Sequence, residues 1–279
     1  QGITTDGTNL YVGDTQNHKI RKIVIATGEV TTVAGSGTAG SANDNGTAAS
    51  FKNPNGVTSD GTNLYVSDSS NNKIRKIVIS TGEVTTLAGT ASTESGITDG
   101  TGTDARFNFP SGITTDNTSL YVVDQSNQKI RKIVISSGEV TTFAGTAYTE
   151  SGYTDDNGTD ARFYNPTDIT IVGTNLYVAD QGNNKIRKIE IATGEVTTLA
   201  GTASTESGYT DGTGTDARFN GPSGITSDGT NLYVSDTNNH KIRKIEIATG
   251  EVTSLAGTAT TESGYTDGTG TDARFNNPT

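Results

Sequence analysis

Residues 222–245 read Pro-Ser-Gly-Ile-Thr-Ser-Asp-Gly-Thr-Asn-Leu-Tyr-Val-Ser-Asp-Thr-Asn-Asn-His-Lys-Ile-Arg-Lys-Ile. The centre of this run, Leu-Tyr-Val-x-Asp, recurs with its tyrosine at Tyr11, Tyr65, Tyr121, Tyr177 and Tyr233, at spacings of 54, 56, 56 and 56 residues. A fixed period of this size marks a repeat architecture, in which each unit buries its faces against its neighbours. Five such units account for nearly all of the 279 residues. The expected boundaries are 1–54, 55–110, 111–166, 167–222 and 223–279, within a single domain. Each unit also carries Lys-Ile-Arg-Lys-Ile, starting at Lys19, Lys73, Lys129, Lys185 and Lys241, and these runs hold 15 of the 20 basic residues.

Within the second unit the pattern predicts four strands, at 56–59, 63–67, 73–79 and 83–87. Each is short, rich in Val, Ile, Thr and Tyr, and bounded by turn residues. Gly82 sits in the last turn, where a positive φ is needed. On the third strand Ile74 and Val78 point to one face, and Ile77 and Ile79 to the other. Apolar groups on both faces imply a strand buried from both sides, which a sandwich with one wet face does not provide. No stretch shows helical periodicity. The expected fold class is therefore all-β: a β-propeller of four-stranded antiparallel blades.

Residues 222–245 resemble the NHL repeat, a family named for an Asn-His-Leu tripeptide. Asn17-His18-Lys19 and Asn239-His240-Lys241 keep the Asn-His pair, and the other copies read Asn71-Asn72, Asn127-Gln128 and Asn183-Asn184. The resemblance covers all five units and implies a propeller, commonly of six blades. Five units are a departure. They imply either a five-bladed ring or part of a six-bladed or larger assembly. The Thr/Asn/Gly/Asp-rich, Cys-free surface resembles bacterial and archaeal extracellular members.

Composition excludes several functions. Cys is absent, which removes disulfides, thiolate zinc sites and Cys nucleophiles. A net charge of −11 argues against nucleic acid as a partner. No apolar run approaches the ~18–20 residues of a membrane helix, so membrane insertion is not expected. With no Met, the chain reads as a processed form or a fragment.

Alternating strand direction puts the turn between second and third strands on the same side as the inter-unit connectors, the default functional surface. That side carries Asp14, Asp68, Asp124, Asp180 and Asp236 at the turns, and Tyr153, Tyr209 and Tyr265 on the connectors. These residues are the ligand-face candidates. The competing reading of the turn aspartates is an Asx turn, with the carboxylate accepting amides two and three residues on. The Lys-Ile-Arg-Lys runs are expected to be solvated strand positions paired with Asp and Glu, rather than a basic belt for an anion.

The connectors also repeat two acidic positions: Asp99, Asp155, Asp211 and Asp267, then Asp104, Asp160, Asp216 and Asp272. These make a candidate calcium site, although two carboxylates per loop fall short of the usual 6–8 oxygens. The alternative is a Gly-rich crossing pinned between blades by Phe107, Phe163, Phe219 and Phe275. In the first connector Ala48 and Ser50 replace the second Asp and the Arg that follows it, as if Asp and Arg act as a unit.

His18 and His240 lie in different units and cannot make a three-His zinc site. Near-identical repeats also argue against a single asymmetric catalytic centre. The sequence thus points to a non-enzymatic scaffold or binding module, extracellular or at the cell surface, with no required cofactor, engaging a protein or glycan through the connector face. The alternative is a structural repeat subunit that self-assembles into a surface or filamentous array. A weaker one, implied by the family's lyases, is a lyase with a degenerate metal site.

Overall fold

A computed structural model describes residues 2–279; the first expected unit begins one residue earlier, at Gln1, which lies outside the described residues. The chain forms five antiparallel sheets, each with its four main strands adjacent in chain order. In the first blade these are Ile3–Thr5, Asn9–Asp14, Lys19–Val24 and Val30–Ala34. In the second they are Pro54–Ser59, Asn63–Asp68, Lys73–Val78 and Glu83–Ala88, within two residues of expectation at every end. The next three blades repeat this order from Pro110, Pro166 and Pro222. The fold is an all-β propeller with five blades, and no α-helix occurs among the described residues. None of the described helical turns is long and apolar enough to cross a membrane.

Four blades carry a short fifth strand that the sequence pattern does not predict. Asp44–Asn45, Gly100–Thr101, Asp156–Asn157 and Gly212–Thr213 each lie in a connector and pair with the last strand of the blade that follows. Two residues are too few to show an alternation. The connector thereby becomes the outer edge of the next sheet and covers open backbone groups.

Local chemistry explains the Asn and His of the repeat. After each second strand the chain makes one 3₁₀ turn, such as Ser69–Asn71, and then a residue in the left-handed region. That residue is His18, Asn72, Gln128, Asn184 or His240, with φ between 55° and 58°. Asn and His tolerate this conformation better than most non-Gly residues.

The chain packs as two compact units, Gln1–Thr142 and Phe143–Thr279. In the first unit one core is shared by the first and second blades and includes Tyr11, Ile20, Phe51, Val57 and Leu64. A second lies between the second and third blades, with Tyr65, Ile74, Phe107, Leu120 and Ile133. In the second unit the fourth and fifth blades share Tyr177, Ile186, Phe219, Leu232 and Ile245. Ile74 and Ile77, on opposite faces of one strand, are both fully buried, as face-to-face stacking requires. The innermost strands approach closely: a Cβ on Gly56 would lie 2.3 Å from the Ser111 carbonyl oxygen.

Candidate functional site

Each connector folds onto the turn between the second and third strands of the blade it leads into, so the two share a side. In the second blade Asp68 Oδ1 accepts the Lys52 amide at 2.7 Å. Its Oδ2 accepts Asn71 Nδ2 at 2.8 Å and Arg75 Nη1 at 2.9 Å. Arg75 also donates to the Ser50 carbonyl at 3.0 Å, the Ala42 carbonyl at 2.9 Å and Asn43 Oδ1 at 2.8 Å. The Phe51 ring stacks 5.1 Å from the guanidinium. The arginine therefore ties the connector, the turn and the strand together with charge-assisted bonds.

The later blades repeat this node. Arg131 bonds Asp124, the Thr98 and Arg106 carbonyls, and Asp99 at 2.6 Å, over Phe107. Arg187 does the same with Asp180, Asp155 and Phe163, and Arg243 with Asp236, Asp211 and Phe219. Burial pushes the carboxyl pKa values of Asp124 and Asp180 up, against the pull of Arg131 and Arg187.

Several sequence expectations need correction. Asp68, Asp124, Asp180 and Asp236 are completely buried and offer no surface to a ligand; Asp14 alone stays partly open. None of the five accepts the turn amides of an Asx turn, since no side-chain cap bond forms there. Arg75, Arg131, Arg187 and Arg243 are not solvated but fully buried. Asp99, Asp155 and Asp211 are held by these arginines, and each also accepts the backbone N–H of Thr142, Thr198 or Ser254. Asp104, Asp160, Asp216 and Asp272 lie exposed on 3₁₀ turns. Asp267 is exposed as well. Among the described residues no three His, Asp or Glu side chains converge as a metal site would require.

The Asp–Arg unit of the connectors is also different from expectation. Arg106 donates to the carbonyls of Thr103, Asp104 and Ala105, not to the Asp104 carboxylate. Arg162 and Arg218 pair with Glu150 and Glu206. The first connector lacks that Glu too, so what disappears together there is a Glu–Arg pair.

The candidate tyrosines sit where the connectors face solvent. Tyr153 and Tyr209 are about half exposed, with Lys185 Nζ at 5.5 Å and Lys241 Nζ at 5.6 Å from their ring centroids. Tyr265 is 98% exposed. Tyr148 and Tyr164, also exposed, were not singled out from sequence because they do not recur in the other units. His18 and His240 use Nδ1 to accept the amides of Asn53 at 3.2 Å and Asn277 at 3.0 Å, a task done by the Asn72 side-chain oxygen in the second blade.

The Asx turn does form, but on the other side of the first, second, third and fifth blades. Asp60 Oδ1 accepts the Thr62 and Asn63 amides at 2.9 and 2.7 Å, and its Oδ2 accepts the Tyr65 hydroxyl at 2.8 Å. Asp6, Asp116 and Asp228 repeat this with Tyr11, Tyr121 and Tyr233. Hydrogen bonds from Asn9 and Asn231 hold the Asp6 and Asp228 carboxyls well below the usual range. The fourth blade has Val172 at this position and instead carries Asp168, on its first strand, where the second, third and fifth blades have Gly. Asp168 accepts the Ile169 and Ile225 amides at 2.9 and 3.0 Å.

Comparison with known proteins agrees with this architecture. Residues 219–245 match the NHL repeat family. The chain is 28% identical to the human NHL repeat-containing protein 2 over 91% of its own length and 40% of the relative's, so it spans less than half of that protein. An auxiliary nutrient binding protein from Bacteroides thetaiotaomicron superposes on 99% of this chain and 62% of its own, with a TM-score of 0.71 and 17% identity. Virginiamycin B lyase from Staphylococcus aureus superposes on 92% of this chain and 70% of its own, with a TM-score of 0.59 and 16% identity. Identities this low establish a shared fold only. With the NHL repeat matched in its fifth blade and the same strand–turn–strand chemistry in the other four, this chain carries NHL-type repeats on a β-propeller fold.

Proposed function

We propose that this chain is a non-enzymatic binding module, extracellular or cell-surface, that engages a protein or glycan through its connectors. The observation that carries this reading is the set of exposed tyrosines on the connectors of the second unit: Tyr148, Tyr153, Tyr164 and Tyr209, each at least 47% exposed. Tyrosine presents a flat apolar face and a hydroxyl, which suits stacking on sugar rings and anchoring protein partners. These connectors are pinned from beneath by buried Arg187 and Arg243, so little order has to be gained on binding. The similarity to a nutrient-binding propeller supports a binding role. His18 and His240, engaged separately with backbone amides in different blades, favour that role over a lyase.

Screening the chain on a glycan array and on a panel of immobilised extracellular proteins tests this. The triple variant Y148A/Y153A/Y164A should lose at least about tenfold in affinity for any hit, with unchanged thermal unfolding. Undiminished binding by the variant, or no hit in either screen, would refute the proposal.

A further inference from the structure

The fourth blade departs from the others at two positions that touch. Tyr164 lies at the end of its connector and Gly182 in the 3₁₀ turn Gln181–Asn183. The second, third and fifth blades place Lys52 and Ser70, Asn108 and Ser126, and Asn220 and Asn238 at these positions. In every case the turn amide donates to the connector carbonyl, at 3.1 Å in those three blades and at 2.8 Å from Gly182 to Tyr164. Two of those blades also tie turn and connector through polar side chains. Asn53 Nδ2 donates to Ser70 Oγ at 3.0 Å, and Asn238 Nδ2 to Asn220 Oδ1 at 3.3 Å.

The fourth blade puts an aromatic ring against bare backbone at this place. A Cβ on Gly182 would lie 2.6 Å from Tyr164 Cδ1, 2.7 Å from Cγ and 2.6 Å from the Tyr164 carbonyl oxygen. Any side chain at 182 must therefore displace the ring, because contacts this short are not tolerated in packed structure. The tyrosine is fixed on both sides of its Cα. Its amide donates to Asp180 Oδ1 at 2.8 Å, and that carboxylate is held in turn by buried Arg187. Beside the ring, Asn165 Nδ2 donates to Gln181 Oε1 at 2.6 Å and orients the Gln181 amide. Burial is not what the exchange achieves, since Tyr164 remains 49% exposed. None of the four residues, Tyr164, Asn165, Gln181 and Gly182, carries a charge.

We propose that Tyr164, seated on Gly182, is a stacking platform for a pyranose ring of a neutral glycan, with the Gln181 amide hydrogen-bonding the sugar hydroxyls. The inference rests on the binding role argued above and names, for that role, the ligand class and the ring that carries it. A sugar presents a flat face of C–H groups and a rim of hydroxyls. The half-open tyrosine matches the first, and an amide, which both donates and accepts, matches the second. A ring and amides without charge suit a neutral sugar, and one ring beside polar groups suits a sugar better than the broad apolar centre of a protein interface. Because turn and connector already fix the tyrosine backbone, little order is lost when the sugar arrives.

Saturation-transfer NMR and calorimetric titration test it, with cello-, xylo-, manno- and galacto-oligosaccharides as probes. The wild-type chain should transfer saturation to the ring C–H protons of at least one of them. The double variant Y164N/G182S, which installs the residues of the third blade and should melt as wild type does, should weaken that affinity at least about tenfold. G182S alone keeps the tyrosine but dislodges its ring, and should show a loss in the same direction. Undiminished binding by Y164N/G182S or by G182S overturns the platform and leaves the other connector tyrosines as the binding surface. A wild-type chain that binds an immobilised protein and none of these oligosaccharides also overturns it, without touching the wider binding role. Binding to neither removes both.

Discussion

The first and third blades place the same four residue types, Asp, Asn, Lys and Arg, at the same spacing, yet Asp14–Arg21 is a loose, wet contact and Asp124–Arg131 a dry, six-way node. The third strand, which carries the arginine, reads Lys-Ile-Arg-Lys-Ile-Val in both. The difference is the connector: Arg131 has 89–109 folded over it, and Arg21 has no such segment among the described residues. An ion pair takes its worth from what surrounds it. In water it contributes little, and in a closed node its loss leaves a stranded charge.

The largest consequence is for arginine replacement. Arg131→Met should cost about 3–5 kcal/mol, because Asp124 is left buried without its counter-charge. Arg21→Met should cost about 0–1 kcal/mol. Urea unfolding midpoints measure both, and equal losses would erase the contrast between the blades. A smaller contrast is expected at the asparagine. Asn127→Ala removes bonds to Asp124 and to the Gly96 carbonyl from a buried site, for about 1–3 kcal/mol. Asn17→Ala removes a single exposed bond and should stay below about 0.5 kcal/mol.

The opposite side of the blades gives smaller, pH-dependent effects. The folded-state pKa values of Asp6 and Asp228 are lowered by turn hydrogen bonds, so their contribution is complete above the unfolded value of about 4 and disappears as pH falls through the folded value. The double variant D6N/D228N should therefore show a flatter loss of stability on acidification than wild type; an identical acid profile would mean these turns carry no linkage. Smallest of all, burial and the hydrogen bond to Asp6 push Tyr11 up to about 12. That contribution is complete below the usual tyrosine value and fades as pH rises past the folded one. Tyr11→Phe should remove one late step from the tyrosinate absorbance titration.

Much of the fold was legible because period and alternation are local properties. The recurrence of Leu-Tyr-Val-x-Asp, the two-faced third strand and the turn residues located every main strand of the second blade to within two residues. The candidate site was read less well, and for one reason throughout. Charged residues in a strand are assigned to solvent unless enough partners are visible nearby, and apart from Asp124 the partners of Arg131 lie 25, 32 and 33 residues upstream in a glycine-rich connector. The same connector carries the two-residue edge strand, too short to leave a pattern. Asp168, Tyr148 and Tyr164 each occur once, so the repeat pattern carries no signal for them.

The amino-acid sequence by itself determined five antiparallel blades, their strand order and the side on which the connectors emerge, since hydrogen-bonded strands and tight turns follow from neighbouring residues. Which charges are buried, which carboxylates remain free and which tyrosines face water were decided only by tertiary structure. Those properties depend on whether a distant segment covers the group and excludes water from it, and identical pentapeptides in this chain meet opposite fates on that account.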